Sequence, residues 1–72
     1  MKLNALQALV AAIEEGSFRG AARRLGVSQP ALTKTLRELE LELSTTLVER
    51  STRGVSPTLQ GKVLYERALN VQ

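Results

Sequence analysis

The chain has 72 residues, enough for one small domain, and a domain of this size buries only about 60% of the surface its unfolded chain exposes. Hydrophobic residues make up 43%, but Phe18 and Tyr65 are the only aromatics, so the core must be built from Leu, Val, Ile and Ala, which suits short packed helices better than a sandwich of strands. Ten Lys and Arg face seven acids, all Glu; with no His, Cys or Asp the chain cannot form a disulfide, a His-based triad or a thiol nucleophile, and is poorly equipped for a transition metal.

The net charge of +3 and the pI near 10.0 matter less than where the charges lie. Arg19, Arg23, Arg24, Lys34 and Arg37 fall in an acid-free stretch, Glu38, Glu40, Glu42 and Glu49 reverse the sign, and Arg50, Arg53, Lys62 and Arg67 restore it against Glu66 alone. Alternating blocks of this kind imply one positive face, the footprint of a partner carrying phosphates. No apolar run approaches the ~20 residues that span a bilayer, and the amino end lacks a signal-peptide core, so a soluble chain without a membrane partner is expected.

Leu3, Leu6, Leu9, Val10 and Ile13 recur at helical spacing and predict a first helix ended by Gly16. Ser17 is a natural cap for a short second helix over residues 18–25, in which Phe18, Ala21, Ala22 and Leu25 share one face while Arg19, Arg23 and Arg24 lie on the other. Gly26-Val27-Ser28 reads as a three-residue turn, with Ser28 capping a third helix over residues 29–43 and Pro30 in its first turn, where a missing N–H does no harm. Leu32, Leu36, Leu39 and Leu43 form its apolar back; Pro30, Thr33, Lys34 and Arg37 lie roughly opposite, and Leu41 falls toward that polar side.

Past Leu43 the pattern changes. Residues 45–50 lean toward strand, Ser51-Thr52-Arg53-Gly54 has turn chemistry, and Val55-Ser56-Pro57 can return as a second strand. Thr58 can cap a fourth helix carrying Leu59, Val63, Leu64, Ala68 and Leu69, still helical in pattern at Gln72. Glu38, Glu40 and Glu42 read as a solvated surface that limits nonspecific phosphate binding, and Tyr65 as a packing or interface residue.

A short basic helix with paired small alanines, a three-residue turn and a capped helix with a polar front is the helix-turn-helix arrangement. Arg53 beside Gly54 at the tip of a hairpin is a cation on a thin turn, able to enter a narrow minor groove. A domain of this shape also serves protein–protein contact or RNA. The first would put exposed Leu, Phe or Trp at Thr33, Lys34 and Arg37, and the second would need aromatics to stack splayed bases. An enzyme would need an acid–base pair, a nucleophile–base pair or a phosphate-cradling Gly-rich loop, none of which is legible.

The run from Ser17 to Thr33, in particular AARRLGVSQPALT, resembles the core of the LysR-type transcription regulators, and LVERSTRGVSPTLQG resembles their wing and the start of their linker helix. The resemblance covers essentially the whole chain. It implies a mainly α, winged helix-turn-helix fold: a three-helix core, a two-stranded β-hairpin wing and the start of a linker helix, divided into a DNA-binding domain over 1–57 and a dimerising helix from 58 to 72. It implies a cytoplasmic, sequence-specific binder of double-stranded DNA in transcription regulation, with the recognition helix 29–43 in the major groove and the wing 47–57 at the minor groove. On that pattern Gln29, Pro30, Thr33 and Lys34, joined by Arg37, are the base contacts. Ser17, Arg19, Ser28 and Arg50 are the phosphate contacts, and Arg53 is the minor-groove contact. The full-length protein is expected to form a homodimer through the linker helix and to bind a small-molecule effector in a C-terminal domain outside these residues; no cofactor or metal is implied. Ser44 stands where the family usually has Gly, Val48 where Phe or Leu is usual, Pro57 where Leu is common and Gln60 where Ala is usual. These departures predict a weaker or longer end to the third helix and a smaller plug beneath the wing.

Overall fold

The computed structural model describes residues 4–70; Leu3 and the last two positions of the fourth helical pattern lie outside them. The element order is α1 (Ala5–Glu15), α2 (Phe18–Leu25), α3 (Gln29–Leu43), β1 (Val48–Ser51), β2 (Gly54–Pro57) and α4 (Leu59–Asn70). The expected helix-turn-helix spacing is therefore present, with Gly26–Ser28 between α2 and α3.

Each helix starts where a side-chain oxygen can take up an orphan N–H. Asn4 Oδ1 accepts from Leu6 N at 2.8 Å, Ser17 Oγ from Gly20 N at 2.9 Å, Ser28 Oγ from Ala31 N at 3.2 Å, and Thr58 Oγ1 from Gly61 N at 3.0 Å. Gly16 and Gly26 end α1 and α2 in the left-handed region, and Ser44 ends α3 there too, at φ 52°. The predicted weakening of that end is thus met by a strained serine that keeps the cap bonds: Thr45 N still donates to Glu40 O at 3.0 Å.

The core is made of Ala8, Leu9, Ala11 and Ala12 of α1, Phe18, Ala21 and Ala22 of α2, Leu32 and Leu36 of α3, and Leu47 and Val48 at the wing base. The first helix is buried chiefly through its alanines, which differs from the leucine stripe read in the sequence. Small side chains let α1 approach α2 and α3 closely, and they leave Leu6 exposed and Val10 and Ile13 half-buried toward the margin. Leu43, assigned to the apolar back of α3, is likewise exposed.

The hairpin pairs Val48 with Pro57, Glu49 with Ser56, Arg50 with Val55 and Ser51 with Gly54. The first strand begins later than predicted because Thr45 and Thr46 serve other bonds, while the second begins one residue earlier, at Gly54, and ends at Pro57 as expected. Thr45 completes the α3 cap, and Thr46 O accepts from Thr58 Oγ1 at 2.6 Å. Gly54 takes a φ of 115°, so Thr52 and Arg53 can turn the chain at ordinary negative φ. The wing is fastened at both ends: Val55 N donates to Gly16 O at 2.8 Å, and Thr58 N to Leu47 O at 3.0 Å. A Cβ at Gly61 would collide with the Leu47 carbonyl, so glycine there lets α4 lie directly against the start of β1.

Candidate nucleic-acid interface

Pro30, Thr33, Lys34 and Arg37 share one face of α3, where with Glu38 and Leu41 they line a shallow groove. Gln29, Pro30, Lys34 and Arg37 are exposed and Thr33 half-buried, so the polar front is presented to solvent along the amino-terminal half of the helix. Leu41 sits on the same side and is 79% exposed, as its position in the helical period requires.

Between α3 and the wing lies a cleft of about 170 Å³ lined by Phe18, Thr33, Leu36, Arg37, Glu40, Val48 and Arg50. It joins the phosphate candidate Arg50 to the base candidates Thr33 and Arg37. The Arg50 guanidinium lies over the Phe18 ring, 4.8 Å from its centroid, a cation–π contact that orients the charge while leaving the residue exposed. Val48 forms part of the wall of this cleft.

Ser17 and Ser28 both serve first as helix caps through Oγ, and their hydroxyl protons remain to donate. Arg19 is exposed in the first turn of α2, and Arg53 is exposed in the two-residue turn of the hairpin, where its N–H donates to Ser51 Oγ at 3.2 Å. Neither Arg19 nor Arg53 borders the cleft. Among the described residues both ion pairs belong to Arg24, which reaches Glu14 at 2.8 Å and Glu15 at 3.4 Å. The basic face read along α2 is therefore smaller than its arginine count suggests, because α1 neutralises one of the three. Arg19, Lys34, Arg37, Arg50 and Arg53 have no acidic partner among the described residues.

Two supports are missing from the sequence reading, Glu40 and Gly61. Glu40, read as solvated surface, is half-buried, and its carboxylate accepts from Leu47 N at 2.7 Å and Val48 N at 3.3 Å, which ties the wing base to α3. Nothing in its spacing announces that bond. Gly61 did carry a signal: an isolated glycine inside a helical pattern costs about 1 kcal/mol relative to alanine and calls for a packing reason. Tyr65, read as a packing or interface residue, is half-buried and donates its hydroxyl to Glu14 Oε2 at 2.7 Å. That bond, followed by the Arg24 contact, holds the Glu14 carboxyl below its ordinary pKa, and the same carboxylate raises the Tyr65 phenol.

A capped basic helix, a three-residue turn, a helix with an unpaired cationic front and an antiparallel hairpin together define a winged helix-turn-helix. The model of the bacterial regulatory helix-turn-helix proteins of the lysR family matches residues 3–62, and the chain belongs to that family. It is 50% identical over 66 residues to the small neutral protease regulatory protein of Streptomyces coelicolor, covering 92% of this chain and 21% of that protein. It is 42% identical over 71 residues to the transcriptional regulator BudR of Klebsiella aerogenes, covering 99% of this chain and 50% of BudR. The chain thus spans half or less of the length of these curated relatives. Among solved structures, the BenM DNA-binding domain in complex with catB site 1 DNA superposes with a TM-score of 0.90 at 40% identity, over 97% of this chain and 79% of that one. The chain is accordingly a DNA-binding domain of the transcription-regulator class. No helix among the described residues is long and apolar enough to cross a membrane.

Proposed function

We propose that this domain reads double-stranded DNA by laying the amino-terminal half of α3 in the major groove, with the wing reaching an adjacent minor groove. The observation that carries the reading is the exposed, acid-unpaired front of α3, Gln29, Pro30, Thr33, Lys34 and Arg37, beside the oriented Arg50. Lys34 donates to guanine O6 or N7, and the Thr33 methyl touches a thymine methyl. Ser17, Arg19, Ser28 and Arg50 hold phosphates and fix the register, and Arg53 enters the minor groove. Apolar residues at Thr33, Lys34 and Arg37, which a protein-docking version would need, are absent from that front.

In the full-length protein the domain over 1–57 works as one of two copies, joined through the helix that starts at residue 58. Leu59, Val63 and Leu43 are exposed and line an apolar groove of about 340 Å³ with Leu47 and Leu64, a surface suited to that pairing. Any small-molecule effector binds in a further domain, and the protein acts in the cytoplasm, where a bacterial chromosome is.

Selection of bound duplexes from a random pool identifies the preferred site. On that site Lys34→Ala costs about 1–3 kcal/mol of binding, and much less on scrambled DNA. Equal losses on both duplexes would reduce Lys34 to a phosphate contact.

A further inference from the structure

α4 is fixed near its start, by Leu64 packed against the core, and by a polar contact at Tyr65. Near its start, Gly61 lies against the Leu47 backbone and Thr58 bonds to both Thr46 O and Leu47 O. Farther along, Tyr65 Oη donates to Glu14 Oε2 at 2.7 Å, and Arg24 of α2 grips the other oxygen of the same carboxylate at 2.8 Å. Past Leu64, which packs against the core, the helix is less closely covered. A groove of about 400 Å³ separates it from α1 and α2, lined by Leu6, Val10, Leu25, Ala68 and Leu69, with Arg24 on its wall. Leu69 and Leu6 are exposed there.

Tyr65 carries the polar contact farthest from the Gly61 anchor, so a shift there tilts the helix beyond it. Gly61 and Tyr65 are about 6 Å apart along the axis at 1.5 Å per residue, so a 1 Å shift at Tyr65 swings α4 by about 10°. We propose that Glu14 is a positioning residue, the joint through which Tyr65 and Arg24 fix the direction of α4 relative to α2 and α3, and that it thereby sets which spacing of two half-sites a pair of these domains prefers. This rests on the proposed reading of paired half-sites. Contacts as exposed as these add little to stability, so removing one changes direction and leaves the fold intact.

The test uses the 72-residue chain with Glu14→Ala and Tyr65→Phe, the first being a good helix former on an exposed helical position. Tyr65 is the single tyrosine and there is no Trp, so alkaline absorbance titration reads this residue alone. The unsubstituted chain is expected to titrate above the ordinary tyrosine value, and Glu14→Ala to bring the midpoint back toward it. Binding is then measured to one selected half-site, and to paired half-sites whose spacing is varied through one helical turn, roughly 10 bp. We expect single-site affinity within about twofold in both variants, while the preference for the best spacing falls from about tenfold to about threefold or less. A sharp spacing preference retained in both variants, no spacing preference in the unsubstituted chain, or an ordinary Tyr65 titration in that chain each overturns the joint. Loss of single-site binding in the unsubstituted chain is a different result: it overturns the DNA reading itself, and the joint with it.

Discussion

Ser44 holds a left-handed backbone conformation that disfavours any side chain, at φ 52°, and it does so to keep the last carbonyls of α3 bonded. A non-glycine residue in that region costs about 1–2 kcal/mol, and a glycine there gives back about 0.4–1 kcal/mol in unfolded-chain entropy. Ser44→Gly should therefore stabilise the domain by about 0.5–1 kcal/mol and raise Tm by about 2–8 °C. A lower Tm in thermal unfolding would mean that the serine makes a contact outweighing its strain. At this scale the sequence was most readable where one residue does one local job. The caps Ser17, Ser28 and Thr58 follow from their positions before helical periods, and the exposed Leu41 from its angle on α3. Glu40 was misread because its partners, Leu47 N and Val48 N, come near only once the chain has left α3 and turned back.

Helices carried strong periodic signals, and α2, its turn and α3 fall where the spacing put them. The wing was less legible at its edges. β-Leaning residues at 45–47 are drawn into the α3 cap and the Thr58 clasp, which no alternation of apolar and polar residues reveals. The finished wing is short, fastened at Gly16 and Leu47, and tipped by the exposed Arg53. On the proposed reading, a hairpin fastened at both ends makes that cation a probe of groove width, since a narrow A·T-rich minor groove concentrates negative potential. Arg53→Ala should weaken binding and relax any preference for A·T-rich flanks of the selected site. Footprinting with unchanged flank protection in the variant would count against a minor-groove role.

Across the whole molecule, the three-helix core, the wing and α4 interlock through few but specific links. Val55 bonds to the α1–α2 turn, Glu40 to the start of β1, and Tyr65 to α1. Long-range pairings of this kind were not readable from periodicity, which reports a residue's own helix and nothing of what lies across from it. The charge blocks were readable as a trend, but Arg24 shows their limit, since acids on the preceding helix, outside its block, neutralise it. Arg19, Lys34, Arg37, Arg50 and Arg53 keep no acidic partner among the described residues, and these are the cations that the proposed reading sets against phosphates.

The central claim is that these unpaired cations meet a DNA backbone while the front of α3 reads bases. Its most direct test is equilibrium binding of the chain to the selected duplex and to a scrambled duplex over a series of salt concentrations. With about four phosphates neutralised per domain, log K should fall against log[salt] with a slope near −3.6 on the selected duplex, which should also bind more tightly than the scrambled one at every salt concentration. A slope close to zero, or equal affinity for the two duplexes throughout, would contradict the claim.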